Sequence, residues 1–324
     1  MHPPHIAVVG SYATGLTMKV KRLPGTGETV LGSGYRVDHG GKGSNQAVAC
    51  ARMGANTSFV ARIGNDAFGD SALALYREEG IDVAFVRRTS DRPTGVGFIL
   101  VESGSGNNCI AFDAGANEFL TADDIASSQG AFRDVSVVLA QLEIPVEAAA
   151  AAMSAGRNCG ATTILNPAPV RPLPASLFHQ IDILTPNQTE AKVLTGRSPD
   201  ASVAPEEVAR DLIAMGVGTI VMTLGEEGAM IVAASTVRRV PAVRVAAVDT
   251  TGAGDAFNAG LATALASGAR LEEAVEFGVL IGAMAVMKDG VIPSLPRRDE
   301  VLRFCRERSL SLPGWFTGES AARP

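Results

Sequence analysis

The stretch VDTTGAGDAFNAG, residues 248–260, places small side chains and one carboxylate where a helix-forming run begins. The first backbone amides of a helix have no partner within it, and its dipole is positive there, so such an end binds phosphates. Gly252 and Gly254 allow the backbone to close on a phosphate, and Asp255 stands where it can accept a hydroxyl proton. The stretch predicts a phosphoryl-transfer site; the alternative is a plain glycine turn with a capping Asp.

Apolar, β-branched runs recur before this stretch, and most of them are continuous rather than alternating. These runs are HIAVVG, TSFVARIG, VSVVLAQLE, ATTILNP, DILTPN, GTIVMTLG and AMIVAA. Continuous runs are typical of strands buried on both faces of a parallel sheet. Helical patterns lie between them and commonly end at a glycine, at residues 45–53, 67–79, 146–159, 205–215 and 253–266. The alternation predicts an α/β fold with a doubly wound, mostly parallel sheet and helices on both faces.

Two glycine-rich regions, residues 12–38 and 94–113, interrupt this alternation. Both contain short strand-like runs joined by turns and few helix formers. We predict that they form a small antiparallel β lid over the carboxyl edge of the sheet, where open α/β sheets bind ligands.

The remaining residues form the other expected units of the chain. The α/β domain is expected to be discontinuous, comprising residues 1–11, 39–93 and 114–308. Residues 309–324 are rich in Pro, Gly and Ser and are predicted to be a flexible tail, in which Trp315 and Phe316 can contact the surface.

The composition is that of an ordinary globular protein. Of 324 residues, 46% are apolar and 19% charged, and the net charge is −6. The basic residues are scattered, which argues against a nucleic-acid or membrane partner. No apolar run reaches the ~20 residues of a membrane span, and MHPPH lacks the pattern of a signal peptide. The four cysteines form no CxxC pair, so we expect a cytoplasmic protein without disulfides or zinc.

A second glycine cluster, HGGKGSNQAVACARMGA, occupies residues 39–55. Gly40, Gly41 and Gly43 open onto a helix, with the polar residues Lys42 and Asn45 at its mouth. The spacing is not that of a P-loop. The cluster is either a binding loop or the hinge of the lid.

Two further motifs follow predicted strands. In TPNQTEA, Asn187 and Glu190 lie on one face of a predicted helix start, and their oxygens suit water-mediated Mg²⁺ binding. The alternative is an N-terminal cap with its partner Glu three residues on. In VMTLGEEGA, Thr223 and Gly225 either face a nucleotide phosphate or form a hairpin turn.

Together these stretches resemble the ribokinase-like, or PfkB, family of sugar kinases over residues 6–294. Both family signatures are present, GGKGSNQAVACARMGA and VDTTGAGDAFNAG, with TPNQTEA and TLGEEG in the expected order. LNPAPVRPLP and QLEIP are similar to the ribokinase branch. The resemblance implies a doubly wound α/β domain with a β lid and ATP-dependent phosphorylation of a sugar hydroxyl. It also implies Mg²⁺ and K⁺ as cofactors and a homodimer that pairs through its lids.

The resemblance also implies a role for each matching residue. Asp255 would be the catalytic base. The anion hole for the γ-phosphate would comprise Thr251, Gly252, Ala253 and Gly254. The nucleotide and its Mg²⁺, held through water by Glu190, would contact Asn187, Glu190, Thr223, Gly225 and Gly228. The sugar would contact Gly41, Lys42, Asn45, Glu143 and Asp255. A monovalent cation would be held, mostly through backbone oxygens, by Asp249, Thr251, Ala285, Lys288, Gly290 and Ser294.

One segment departs from the ribokinase pattern. Ribokinases typically follow the first strand with a stretch like GSINAD, whose Asn and Asp bond the sugar hydroxyls. Here residues 10–18 read GSYATGLTM, with Ala13 at the Asn and Gly15 at the Asp. Each lost hydrogen bond to a charged group costs about 1.5–3 kcal/mol. We therefore expect a substrate other than plain ribose, either another sugar or a sugar acid.

Three explanations of this departure remain open from the sequence. The substrate is larger, and Gly15 makes room for it; or it carries an anionic group, with partners among Lys19, Lys21 and Arg22; or the lid supplies the missing bonds from Asp38, His39 or Asp113. The alternative functions are ribokinase proper, a nucleoside kinase, and a sugar-sensing pseudokinase without turnover.

Overall fold

The computed structural model describes residues 3–104 and 107–318. The strands are β1 His5–Val9, β2 Ala13–Val20, β3 Gly32–Gly40, β4 Asn56–Gly64, β5 Val86–Thr89, β6 Gly95–Glu102, β7 Asn108–Asp113, β8 Val137–Ala140, β9 Thr162–Leu165, β10 Ile183–Leu184, β11 Thr219–Thr223, β12 Ala229–Ala233 and β13 Thr236–Val240. The helices are α1 Lys42–Arg52, α2 Ala67–Glu78, α3 Ala122–Ala126, α4 Val146–Asn158, α5 Ala175–Phe178, α6 Gln188–Leu194, α7 Pro205–Ala214, α8 Ala253–Ala266, α9 Leu271–Ala285, α10 Arg298–Glu307 and α11 Gly314–Thr317. Short 3₁₀ turns cover Gly115–Phe119, Gln129–Phe132 and Gly225–Glu227.

The large sheet has the order β13-β12-β11-β10-β9-β8-β1-β4-β5. Pairing is parallel from β11 to β5, and β12 and β13 extend the sheet as antiparallel strands. In β1, Ile6 and Val8 belong to one buried apolar cluster, whereas Ala7 and Val9 belong to another. Both faces of the sheet are therefore covered, which explains the continuous apolar runs. The doubly wound α/β fold is confirmed.

The helices between these strands agree closely with their predicted bounds. The helix α8 spans Ala253–Ala266, and α2 and α7 end within one residue of expectation. Gly54 and Gly80 follow α1 and α2 in the left-handed region, with φ of 93° and 70°, which ends each helix without steric strain.

The lid is a separate four-stranded sheet in the order β3-β2-β6-β7. Two antiparallel hairpins, β2–β3 and β6–β7, meet through parallel pairing of β2 with β6. The central pair is parallel because the two hairpins come from separate parts of the chain and enter the sheet in the same direction. The strand β3 continues to Gly40, two residues past the expected lid boundary.

Part of the chain after α10 packs against the core, through Leu312, Trp315 and Phe316. Phe316 is buried, and the ring centroids of Trp315 and Phe316 lie 5.0 and 4.9 Å from that of Phe277 in α9. The contact that the sequence analysis allows for Trp315 and Phe316 is thus present, and the flexibility expected for residues 309–318 stays a prediction. Residues 319–324 of that expected tail lie outside the described residues.

Three further observations concern membrane-spanning helices, metal-binding clusters and cysteines. Within residues 3–104 and 107–318, no helix is both long and apolar enough to cross a bilayer. The same residues contain no cluster of three or more His, Cys, Asp or Glu side chains suited to a metal ion. All four cysteines are free, Cys50 and Cys305 being buried and Cys109 and Cys159 exposed.

Candidate active site

Polar residues converge at the carboxyl edge of the large sheet. Ser11 follows β1, Glu143 follows β8, Asn166 follows β9 and Asn187 follows β10. Because parallel strands end at one edge, these side chains meet there, opposite the first turn of α8. This arrangement places the candidate site between the sheet edge and the lid.

The turn before α8 has the geometry of an anion site. Gly252 has φ of 81°, and a Cβ there would lie 2.8 Å from Val291 Cγ1, so the turn requires glycine. A Cβ at Gly254 would meet no atom within 4 Å, so the space beside the helix start is open. Backbone amides in such an end can bind a phosphate without interference from side chains.

Asp255 lies in the first turn of α8 and is only 5% exposed. Asn45 Nδ2 donates to its Oδ2 at 2.8 Å, and Gln46 Nε2 donates to its Oδ1 at 2.9 Å. Burial raises the pKa of Asp255 more than the Lys42 charge and the two amides lower it. The carboxylate is thus fixed in orientation and a stronger base than an exposed Asp.

Two further buried amide side chains form hydrogen bonds with Gln46. Gln141 Nε2 donates to Gln46 Oε1 at 2.6 Å, and Gln46 Nε2 also lies 3.2 Å from Asn166 Oδ1. Sequence reasoning missed Gln46, Gln141 and Asn166, which come from three separate elements. Their adjacency to predicted site residues, Gln46 beside Asn45 and Gln141 in QLEIP, was the available signal.

A second buried contact supports the helix start itself. Thr185 Oγ1 donates to Asn258 Oδ1 at 2.6 Å, and Asn258 Nδ2 donates to the carbonyl of Gly254 at 2.8 Å. The turn that carries Asp255 is therefore braced from the end of β10 as well as from α1.

The predicted sugar contacts gather around the start of α1. Glu143 Oε2 accepts from Ser11 Oγ at 2.6 Å and from the Lys42 backbone amide at 2.8 Å. A Cβ at Gly41, where φ is 91°, would lie 2.7 Å from Tyr12 Cα, so only glycine allows this approach. Burial lowers the pKa of Lys42, but the charges of Asp255, Glu143 and Glu190 outweigh it and leave the pKa raised.

The lid residues offered as substitutes for the lost polar pair differ in their contacts. His39 Nδ1 lies 2.8 Å from the hydroxyl of Tyr12, whose pKa burial raises to about 12. Asp113 Oδ1 accepts from the Gly115 amide at 2.9 Å, so it caps its own turn. Asp38 faces Gly15 across the β2–β3 ladder. Of the three basic candidates, Lys19 and Lys21 are exposed, and Arg22 is paired with Glu28.

A cavity of about 950 Å³ adjoins the turn on the other side of α8. Its lining includes Asn187, Thr223, Gly225, Gly228, Ala253 and Gly254, all predicted for the nucleotide or the phosphate. Apolar side chains of Phe257, Val279 and Val286 complete one wall. The turn at 225–228 also joins β11 to β12 as a hairpin, so the two interpretations of VMTLGEEGA are compatible.

Asn187 and Glu190 form a capping box at the start of α6. Asn187 Oδ1 accepts from the Glu190 amide, and Glu190 Oε2 accepts from the Asn187 amide, both at 2.8 Å. Burial raises the pKa of Glu190, and the nearby charge of Asp255 adds to this, while Lys42 opposes it. Two partly desolvated carboxylates near each other fit a bound cation such as Mg²⁺, which would relieve their repulsion.

The predicted monovalent-cation loop is partly assembled around Asp249. Its Oδ1 accepts from the Thr251 amide at 2.9 Å, and its Oδ2 accepts from the Gly290 amide at 3.2 Å. Burial raises the pKa of Asp249, but these amides outweigh it and leave the pKa lowered. Ser294 is buried and donates to the Val291 carbonyl at 2.8 Å.

The other two residues predicted for this loop lie at its edge. Ala285 is the buried last residue of α9, and the side chain of Lys288 turns away to Glu300, with Nζ 2.6 Å from Oε1. Only the backbone of these two residues remains available to a cation.

Arg52, which sequence reasoning missed, holds the same loop from behind. Its Nη1 donates to the carbonyls of Ile292 and Leu295 at 2.6 and 2.8 Å. Its Nη2 donates to Glu79 Oε1 at 2.6 Å, and the two side chains are 8% and 6% exposed. The end of α1 is thereby tied to the loop that follows α9.

Comparison with known proteins gives one consistent result. The model of the family described as pfkB family carbohydrate kinase matches residues 3–298. A ribokinase of Haemophilus influenzae is 36% identical over 303 residues, which cover 92% of this chain and 97% of that protein. A deoxyribokinase of Salmonella typhi is 34% identical, covering 90% and 95%. The structure of Arabidopsis thaliana ribokinase complexed with ribose and ATP superposes with a TM-score of 0.85 at 32% identity, covering 93% of this chain and 98% of that one.

Proposed function

Because the chain belongs to the pfkB family of carbohydrate kinases, we propose that it transfers the γ-phosphoryl group of ATP to a hydroxyl of a sugar other than plain ribose, with Asp255 as the general base. The observation that carries the proposal is the buried Asp255 carboxylate, held by two amides beside an open glycine turn and next to a cavity of nucleotide size. The reaction is an in-line displacement.

In this mechanism the acceptor hydroxyl lies between Asp255 and the turn. Asp255 removes its proton as the oxygen attacks, which the raised pKa favours. Asn45 Oδ1 is buried, and no hydrogen-bond partner for it occurs among the described residues, so it can accept from a second hydroxyl. The backbone amides of Thr251, Gly252, Ala253 and Gly254 bind the charge that develops on the transferred phosphoryl group. Gly41, Lys42 and Glu143 bind the sugar from the α1 side.

Two cations complete the proposal. Mg²⁺ bound to ATP would neutralise phosphate charge, with Glu190 acting through water and Asn187, Thr223, Gly225 and Gly228 lining the nucleotide. K⁺ would be held by the loop of Asp249, Thr251, Ala285, Lys288, Gly290 and Ser294 and would order the anion turn next to it. Activity in K⁺ is expected to exceed activity in a bulky organic cation; equal rates would remove K⁺ from the proposal.

The lid, residues 12–38 and 94–113, is proposed to close over the sugar and to pair with a second copy. On one lid face Val37 and Phe98 both align with Leu16, and they are 51% and 56% exposed. Such an apolar row on a small sheet favours burial against another surface. Light scattering of the wild type and of Phe98→Asp tests this, since the substitution should produce monomers.

Ribokinase proper is the second candidate, because ribokinases and a deoxyribokinase are among the relatives. The ribokinase function is disfavoured because Ala13 and Gly15 offer no side-chain acceptor or donor to ribose. A nucleoside kinase usually also holds its ribose with an Asp near Gly15, so the same departure counts against it. A pseudokinase is disfavoured because Asp255 and its glycine turn are present.

The test of the proposed function has two parts. A coupled assay of ATP consumption over pentoses, hexoses, sugar acids and nucleosides identifies the acceptor; a highest kcat/KM on D-ribose would contradict the substrate proposal. Asp255→Asn should then lower kcat by about 10²–10⁴-fold while ATP still binds. Asp70→Asn, the same change on the exposed surface of α2, is the matched control. Near-normal turnover of the Asp255 variant would remove it as the base.

A further inference from the structure

Four residues form one row across the lid. Gly15 of β2 pairs with Asp38 of β3 on one side and with Gly97 of β6 on the other, and Gly97 pairs with Phe112 of β7. Residues paired across a ladder point to the same face of the sheet. Asp38 and the Phe112 ring therefore stand at the two ends of a row whose middle carries no side chains.

The contacts of Arg36 show which way this row faces. Arg36 lies two residues from Asp38 on β3 and pairs with Thr17, so it projects from the same face. Its Nη1 donates to Asp289 Oδ2 at 3.1 Å, in the loop after α9, and its charge contributes to the lowered pKa of Asp249. The row is thus on the lid face that is turned toward the α/β domain.

The space at Gly15 is open and lies directly beside Asp38. A Cβ at Gly15 would meet nothing closer than 3.7 Å, and its neighbours would be Asp38 and Ile99. The nearest side-chain atom of Asp38, its Cβ, would be 3.9 Å away. Among the described residues of the four lid strands, Asp38 supplies the carboxylate on this face. Its ion pair with Arg36, in which Nε lies 3.6 Å from Oδ2, involves a single carboxylate oxygen.

We propose that Asp38 is the lid's substrate-binding carboxylate and that the substrate it selects is a neutral sugar larger than a pentose. The proposal rests on the sugar-kinase function proposed above. A hydrogen-bond acceptor on β3 lies one strand spacing, about 4.8 Å, from the position that an acceptor at Gly15 of β2 would occupy. A sugar that reaches Asp38 while its reacting hydroxyl stays at Asp255 needs additional length, which the unfilled space at Gly15 and Gly97 accommodates.

The charges on this face argue for a neutral sugar rather than a sugar acid. Arg36 is already shared between Asp38 and Asp289. A substrate carboxylate would approach Asp38, while the nearest guanidinium is already paired with two acids. Hydroxyl groups, in contrast, donate to Asp38 without loss of its pairing with Arg36.

The experiment compares three variants over one sugar panel that contains D-ribose, neutral hexoses, amino sugars and sugar acids. Asp38→Asn keeps the size of the side chain and removes its charge, and it should lower kcat/KM for the preferred sugar by about 10–150-fold, mostly through KM. The KM for ATP should not change. Asp113→Asn is the matched control, an Asp→Asn change on the opposite lid face. The double variant Gly15→Asp with Asp38→Ala, which returns the carboxylate to β2, should shift the preference toward D-ribose.

Each outcome decides one of the two proposals. The inference is supported if a neutral hexose is the preferred substrate and if kcat/KM falls in Asp38→Asn but not in Asp113→Asn. A sugar acid or an amino sugar as the best substrate, or an Asp38 variant no worse than the Asp113 control, overturns the inference and leaves the sugar kinase intact. Absence of turnover on every sugar, or full turnover of Asp255→Asn, overturns the proposed function itself.

Discussion

Asp255 and Asp38, the two carboxylates that we propose contact the sugar, lie in very different settings. Asp255 is 5% exposed and accepts from two amides that are themselves held by further amides. Asp38 stands on a thin sheet with 39% of its side chain exposed and one ion pair at 3.6 Å. Asp255, Asn45, Gln46 and Gln141 form what we call the buried wall. Each of these polar groups depends on others, so a substitution there leaves hydrogen-bond partners unsatisfied. In the lid a change affects few other groups, so we expect lid substitutions to alter the proposed substrate selection while the proposed chemistry is retained.

The largest effect is expected from Arg52→Met, behind the buried wall. The substitution leaves the buried Glu79 paired with Arg297 but not with Arg52, and leaves the carbonyls of Ile292 and Leu295 without their Arg52 donor. Breaking a buried pair costs about 3–5 kcal/mol of unfolding free energy, and because Arg297 still compensates part of the Glu79 charge, we expect a loss near the lower end of that range. Urea unfolding measures it. Arg297→Met is the control, since Arg297 binds the same Glu79 but is exposed; equal losses in the two variants would contradict the contrast between buried and exposed positions.

A smaller effect is expected from Gln46→Leu, which removes one of the two amide donors to Asp255. Its loss frees the carboxylate to turn away from the acceptor hydroxyl, and such misplacement should lower kcat by up to about 10²-fold. The donor stabilises the carboxylate, and its loss raises the pKa of Asp255 further. Because the base acts when deprotonated, the acidic limb of the kcat–pH profile should move to higher pH.

The control for this shift is Thr263→Val, a buried substitution farther along α8. It should leave the acidic limb in place even if stability changes. An unmoved limb in Gln46→Leu would show that Gln46 does not act on Asp255, and the dense hydrogen bonding of this wall would then have no catalytic consequence.

The smallest effect is expected in the lid, from Arg36→Ala. The pair of Arg36 with Asp289 is exposed on both sides, and such pairs contribute about 0.2–1 kcal/mol, less at high salt. The free energy of unfolding should fall within that range at low salt and by less in about 1 M salt. A loss comparable to that of Arg52→Met would show that the lid is as tightly coupled as the buried wall.

The sequence is sufficient to predict the strands and helices and the glycine turn before α8, because both depend on local patterns. Continuous apolar runs predicted the strands of a covered sheet, and α8 begins at the predicted Ala253. Gln141 and Asn166 could not be inferred, because their role depends on which strands are neighbours in the sheet. Trp315 and Phe316 were assigned to a tail since a local composition rich in Gly and Ser does not reveal a distant partner such as Phe277. The family pattern shows that Gly15 replaces an expected Asp, but only the β2–β3 register places Asp38 beside that position.

The parallel junction of β2 with β6 has a consequence for the order in which the molecule folds. It joins Ala13 to Gly95, which are about 80 residues apart, with β4, α2 and β5 between them. Contacts over such a separation are slow to form because closing the loop costs entropy. During synthesis on the ribosome, the edge of β2 that pairs with β6 therefore stays unpaired until β6 has emerged. The lid sheet is completed after much of the N-terminal part of the large sheet, so a chain arrested before β6 has no finished lid.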